Sequence, residues 1–92
     1  MIYTVIISKV ADEGIFLLKK SEINAYNKLT QLLEELQEHP RTGTGKPEQL
    51  KHRKFQNLWS RRITSKHRLV YSIQDDKVIV YVLSAIGHYG DK

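Results

Sequence analysis

An apolar residue recurs every three or four positions between Ile23 and Leu36, and this spacing is the strongest constraint on the fold. The stripe consists of Ile23, Tyr26, Leu29, Leu33 and Leu36. Residues at that spacing lie on one face of an α-helix, while the charged residues between them face water. We predict a helix from Ser21 that ends before Pro40, because proline disfavours helical geometry at the preceding residue. The stripe is assigned to the core, although its spacing alone cannot distinguish a core face from a contact with a partner or a second copy.

Four other apolar runs are short and rich in β-branched residues, which is typical of β-strands. The first covers residues 2–7, and the other three cover residues 58–64, 67–74 and 77–85. Two polar dipeptides separate the last three runs and mark tight turns. Because strands joined by such turns pair antiparallel, we predict a three-stranded meander in the second half of the chain.

A shorter helix is predicted between the first strand and the long helix, with Asp12 as its N-cap and apolar residues at 15–18. Both helices then cover one face of a small antiparallel sheet, which is an α+β fold. The 92 residues contain no linker and no repeat, so we expect one domain over residues 1–92. There is no cysteine, so the core depends on packing or on a partner chain.

Alternation along the strands predicts which side chains face the helices. The core set on the run 67–74 is Leu69, Tyr71 and Ile73. Arg68 then projects from the opposite face, and so does Arg62, which alternates with Trp59 and Ile63 on the preceding run. A pairing centred on Ser65 places the two arginines opposite each other, whereas a two-residue turn does not. The sequence leaves both registers open.

Several function classes are excluded by motifs that the sequence lacks. No apolar run approaches the ~20 residues that cross a bilayer, and the N-terminal run has no signal-peptide pattern, so we expect a cytoplasmic protein without membrane association. Only one residue separates Gly43 from Gly45, which rules out the spacing of a Walker phosphate loop. The four histidines have no metal-ligand spacing, and we expect neither a metal nor a cofactor.

Positive charge is concentrated in the middle of the chain. The formal net charge is +5, yet residues 41–68 hold nine lysines and arginines and a single acid, Glu48. Such a block suits a polyanion, because each lysine or arginine that meets a phosphate displaces condensed counterions. A solvated basic face explains the charge equally well. The lone acid among these bases is the feature that distinguishes the block.

Four motifs within the second half carry a resemblance to a known family. They are GKPEQLKH at residues 45–52, LWSRRIT at 58–64, HRLVY at 67–71 and GHY at 87–89. In this order and spacing they resemble the YoeB/Txe family of type II toxins, which belongs to the RelE-like superfamily. The resemblance implies a small antiparallel sheet flanked by helices and cleavage of messenger RNA in the ribosomal A site. It also implies neutralisation by a YefM-like antitoxin, whose disordered tail folds onto the toxin.

The resemblance implies catalytic roles for Glu48 as general base, His88 as general acid and Arg68 as the main phosphate-stabilising residue. RNA supplies its own nucleophile, the 2′-hydroxyl, so a base, an acid and cations suffice for cleavage without a metal. Histidine titrates near neutral pH and can donate the proton to the leaving oxygen. Taken singly, each of these residues is also typical of an ordinary surface position, and only the ordered set indicates a nuclease.

Three further residues have assisting roles by the same resemblance. Lys51 and Arg62 resemble additional phosphate-binding cations, and Tyr89 resembles the aromatic neighbour that orients the substrate or the base. The chain continues to Lys92, whereas YoeB-like chains often end at the His-Tyr pair, and the effect of this extension stays open. Codon preference and a homodimer also stay open. The alternatives are a noncatalytic RNA-binding or ribosome-binding module, for which the basic block suffices, and an inert partner-binding protein recognised through its helices.

Overall fold

The computed structural model describes residues 2–51 and 57–86, which form two helices and a five-stranded sheet. In chain order the elements are β1 (Thr4–Ile7), α1 (Lys9–Ser21), α2 (Ile23–Leu36), β2 (Glu48–Leu50), β3 (Leu58–Arg62), β4 (Arg68–Gln74) and β5 (Ile79–Ser84). The predicted α+β fold is confirmed, and the four predicted strands agree with β1, β3, β4 and β5 to within two residues at each end.

The sheet has the strand order β1-β5-β4-β3-β2. Strands β2 to β5 form an antiparallel meander, so the predicted three-stranded meander is confirmed and β2 extends it. Strand β1 differs, because it pairs in parallel with β5, with Thr4 opposite Ile79. A β-branched run does not encode the direction of pairing. Strand β2 was not predicted, since its three residues include only one apolar side chain, Leu50.

The first helix is capped by Ser8, and the prediction of Asp12 as its N-cap is wrong. Ser8 has an extended backbone, and its Oγ accepts a hydrogen bond of 3.0 Å from the amide of Ala11. The helix therefore begins at Lys9, directly after β1 ends. Asp12 lies within the first turn, where its negative charge is favourable near the positive end of the helix dipole.

The core lies between the helices and one face of the sheet. The predicted strand residues Leu69, Tyr71 and Ile73 are completely buried, and Trp59 packs against the same cluster. The α2 stripe is confirmed in part, because its first member, Ile23, is 54% exposed. Leu29 and Leu36 of the stripe are completely buried, Tyr26 and Leu33 are partly buried against the core, and α2 adds Ala25 and Leu32. Each fully buried leucine side chain contributes about 2 kcal/mol through removal of apolar surface from water.

Candidate active site

The ends of three neighbouring strands meet at an open cleft of about 290 Å³. Its lining residues are Lys46, Pro47, Glu48, Arg62 and Arg68. Glu48 begins β2, Arg62 ends β3 and Arg68 begins β4. The sheet register places them on one face, because Glu48 pairs with Ser60 two residues before Arg62, and Arg62 pairs with Arg68. The cleft therefore lies on the face of the sheet opposite the helices and the hydrophobic core.

The register between β3 and β4 is the one centred on Ser65. Arg62 and Arg68 are direct partners, and the amides of Ile63 and Thr64 both donate to the carbonyl of His67 across the turn. Directly opposed cations repel each other across a sheet, so this pair is disfavoured unless an anion lies between them. The structure thus resolves the alternative that the sequence left open and gives the cleft two adjacent guanidinium groups.

The single acid of the basic block lies next to these cations. Glu48 Oε1 is 4.0 Å from Arg68 Nη1, and the Glu48 side chain is 66% exposed. Arg68 is half-buried and also donates a 3.4 Å hydrogen bond to the Oγ of Ser60, which is completely buried. A pair at this distance and exposure is weak. The carboxylate is accordingly accessible as a proton acceptor, while Ser60 holds the arginine in the cleft.

A completely buried guanidinium lies directly behind the cleft, and the sequence interpretation missed it. Arg61 Nη1 donates to Glu35 Oε1 at 2.8 Å, and its Nε donates to the Tyr71 hydroxyl at 3.1 Å. Arg61 Nη1 also donates to the backbone carbonyl of Thr44, and Nη2 donates to the carbonyls of His39 and Thr42. Arg61 lies two residues from both Trp59 and Ile63 and therefore shares their face of the strand, toward the helices. The sequence did contain a signal for this network, because a charged residue at a strand position that faces the core needs buried partners.

The groups around Arg61 have shifted pKa values. Burial opposes ionisation of Glu35 most strongly, but hydrogen bonds from Thr44 and Arg61 together hold its pKa below the usual range. Burial raises the pKa of Tyr71. The Tyr71 hydroxyl donates to the carbonyl of Pro40 at 2.8 Å. The network is thus an ion pair with its partners satisfied, and it ties α2, the loop after it and β3 together.

The glycine-containing loop leads from this network to the cleft. Gly45 has φ of 86°, and its carbonyl accepts a 2.7 Å hydrogen bond from the amide of Arg62. A Cβ at Gly45 would lie 2.9 Å from the carbonyl oxygen of Arg62, so only glycine permits this close approach. Together with the bond from the Thr44 amide to Glu35 Oε1, these contacts position the chain that enters β2 at Glu48.

Of the six site residues predicted from the sequence, the structure brings three together in the cleft: Glu48, Arg62 and Arg68. Lys51 is exposed beyond the end of β2 and does not line the cleft. His88 and Tyr89 lie outside the described residues, as does the extension that follows them. Lys46 lines the cleft although it was not predicted as a site residue. The sequence signal for this position was its closeness to Glu48, from which only Pro47 separates it in the first motif.

Comparison with known proteins agrees with this architecture. The family model described as the YoeB-like toxin of bacterial type II toxin-antitoxin systems matches residues 9–89. The toxin YoeB of Escherichia coli strain K12 is 45% identical over 53 residues, which are 58% of this chain and 62% of that protein. The aligned part is thus less than two thirds of the curated relative.

Two solved structures from Staphylococcus aureus share the fold. The YoeB-YefM complex is similar with a TM-score of 0.77 and 30% identity over 95% of this chain and 98% of that chain. The YoeB dimer is similar with a TM-score of 0.81 and 29% identity over 97% of this chain and 100% of that chain. The fold is therefore that of the YoeB toxins. The chain belongs to the YoeB-like toxin family of bacterial type II toxin-antitoxin systems.

Within residues 2–51 and 57–86, no helix combines the length and the apolar character that spanning a membrane requires.

Proposed function

We propose that the protein is a ribosome-dependent endoribonuclease that cleaves messenger RNA in the ribosomal A site and thereby inhibits translation in the cytoplasm. One observation carries this proposal: the accessible carboxylate of Glu48 lies 4.0 Å from the guanidinium of Arg68 in a cleft whose other described charged residues are all cations. A proton acceptor beside phosphate-binding groups is the minimum that cleavage of RNA requires.

The proposed reaction uses the 2′-hydroxyl of the RNA as the nucleophile. Glu48 accepts the proton of that hydroxyl, the 2′-oxygen forms a bond to phosphorus, and the bond from phosphorus to the 5′-oxygen breaks. His88 donates a proton to the departing 5′-oxygen, a role carried by the family resemblance. The products are a 2′,3′-cyclic phosphate and a free 5′-hydroxyl, and no metal takes part in a step. DNA lacks the nucleophile and is not cut.

The cations of the cleft stabilise the negative charge that develops on the phosphorane oxygens. Arg68 is the principal contact, because Ser60 holds its guanidinium beside Glu48. Arg62 faces it directly and binds the same phosphate or the next one along the strand. Two opposed arginines that repel each other in the free protein gain a common anion in the complex. The roles of Lys51 as a further cation and of Tyr89 in orienting the substrate or the base rest on the resemblance.

The partners follow from the relatives. The Staphylococcus aureus protein was solved in complex with YefM and as a dimer. We therefore propose that a YefM-like antitoxin neutralises this chain and that a homodimer is its alternative assembly. The positive net charge supports contact with the ribosome and its messenger RNA, both of which are polyanions.

Primer extension on translated messenger RNA after induction tests the function. Wild-type protein is expected to arrest growth and to produce stops within codons, whereas Glu48→Gln, Arg68→Ala and His88→Ala reduce cleavage by about 100-fold or more. Glu34→Gln, which changes an exposed carboxylate on α2, is the matched control and keeps wild-type cleavage.

Two outcomes would contradict the proposal. Unchanged cleavage in both Glu48→Gln and His88→Ala would overturn the mechanism. Salt-sensitive RNA binding without any cyclic phosphate product would instead establish the noncatalytic RNA-binding module.

A further inference from the structure

Lys46 occupies the wall of the cleft in an unusual backbone conformation. Its φ is 52°, and it follows Gly45, whose φ is 86°, so two consecutive residues have left-handed backbones. Glycine adopts this region freely, but a residue with a Cβ does so rarely. A strained residue at the rim of a cleft is a reason to ask what its side chain does there.

The surroundings of Lys46 explain how this conformation is imposed. The hydrogen bond from the Arg62 amide to the Gly45 carbonyl holds the loop against the end of β3. Pro47 follows immediately and favours an extended rather than a left-handed backbone at Lys46, so it adds to the strain there. The pairing of Glu48 with Ser60 anchors the chain after Lys46, so the left-handed residue joins two fixed points, Gly45 and the start of β2.

The side chain of Lys46 is available for an anion. Within residues 2–51 and 57–86, none of the ion pairs includes Lys46, whereas Arg61 is paired with Glu35 at 2.8 Å and Arg68 lies 4.0 Å from Glu48. Lys46 is exposed, and it shares the cleft with Arg62, Arg68 and Glu48. The third cation of the cleft is therefore Lys46 rather than Lys51, which does not line it.

We propose that Lys46 is a phosphate-binding residue of the cleft and that the strained turn serves to present its ammonium group to the RNA backbone. The proposal deepens the function proposed above and rests on it. A phosphate contact by lysine acts as a point charge and carries no base specificity, so Lys46 contributes to affinity equally for all sequences.

The left-handed conformation allows a test in which stability and function change in opposite directions. Lys46→Gly removes the ammonium and relieves the strain, so its urea denaturation midpoint is expected to equal or exceed that of the wild type. Its affinity for an oligoribonucleotide with a 2′-deoxy residue at the cleavage position is expected to fall about tenfold. The slope of log affinity against log salt falls by about 0.7, because one phosphate contact is lost.

Two variants complete the comparison. Lys46→Arg keeps the charge and restores affinity and salt slope to within about twofold of the wild type. Lys77→Gly removes an exposed lysine at the turn between β4 and β5, away from the cleft, and leaves affinity and salt slope unchanged. Because the oligoribonucleotide cannot be cleaved, the binding result does not depend on whether the wild type is a nuclease.

Wild-type affinity and salt slope in Lys46→Gly would overturn the inference. So would a loss of binding in Lys46→Gly that Lys46→Arg fails to restore, since that pattern indicates a role for loop conformation alone. Primer extension with the same variants separates this failure from failure of the proposed function. Cleavage by the wild type together with unchanged cleavage by Lys46→Gly refutes only the role of Lys46, whereas an inactive wild type refutes the nuclease.

Discussion

Arg62 and Arg68 face each other as direct partners across the turn between β3 and β4. The pairing places two guanidinium groups on the face of the sheet that carries Glu48, at a cost in repulsion that folding has to overcome. Two cations that are held at paired positions despite their repulsion are typical of a binding site for an anion.

Removal of one cation from the pair separates binding from stability. Arg62 is exposed and sits at the end of β3, so Arg62→Ala relieves the repulsion and is expected to leave the free energy of unfolding unchanged or to raise it by about 0.5 kcal/mol. The same change lowers RNA cleavage about tenfold, because one phosphate contact is lost. Urea denaturation and primer extension measure the two effects. Lower stability with unchanged cleavage would show that Arg62 is a structural residue.

The neighbouring arginine has the opposite role. Arg61→Met is expected to lower the free energy of unfolding by about 3 kcal/mol or more, because it leaves the carboxylate of Glu35 and several backbone carbonyls without their donor. Urea denaturation followed by circular dichroism measures the loss, with Arg62→Ala as the control one residue away.

The double variant Arg61→Met with Glu35→Leu distinguishes an unpaired charge from lost packing. It removes both members of the pair and is expected to recover part of the lost stability. A double variant less stable than Arg61→Met would contradict the assignment of the loss to the unpaired carboxylate.

The lowered pKa of Glu35 predicts a pH dependence of stability. A carboxyl whose pKa is lower in the folded than in the unfolded state stabilises the fold above its unfolded pKa of 4.5, and this contribution is lost as the pH falls from there through the folded pKa. The difference in unfolding free energy between wild type and Glu35→Gln is therefore expected to be largest above pH 4.5 and to shrink on acidification. Denaturation series at several pH values measure it.

Subtraction of the Glu35→Gln profile is necessary because other groups titrate in the same range. The pKa of Glu22 is lowered mainly by its hydrogen bond with His67, and that of Asp75 mainly by its hydrogen bond with Arg41. Both remain in the variant and cancel in the difference. A difference that does not change with pH would show that Glu35 contributes no charge-dependent stability.

The cap of α1 gives a matched comparison between two residues. Ser8→Ala removes the acceptor for the Ala11 amide and is expected to cost about 1 kcal/mol of stability. Asp12→Ala removes only a favourable charge in the first turn and costs about 0.5 kcal/mol. Thermal or urea denaturation of both variants checks the order. A larger loss for Asp12→Ala would show that the charge in the first turn outweighs the cap.

Much of the fold was predictable because its signals are local. Period-two alternation identified the core face of β4, where Leu69, Tyr71 and Ile73 lie, although Val70 and Ser72 on the other face are buried as well. The spacing of α2 identified the helix, but Ile23 shows that spacing does not say how far along its face a helix is covered. The network of Arg61 was not predictable from composition, since a buried guanidinium depends on partners from α2, β4 and a loop.

The sequence by itself determined the order of the two helices and of four of the five strands, the core face of β4 and the concentration of bases around a single acid. These features depend on residue types and on the short-range periodicity of helices and strands, which is the same in every fold that contains those elements. Only the tertiary structure decided the register that pairs Arg62 with Arg68, the parallel pairing of β1 and the presence of Lys46 in the cleft. The reason is physical: register and backbone strain are set by turn closure and by hydrogen bonds between segments that are distant in the chain.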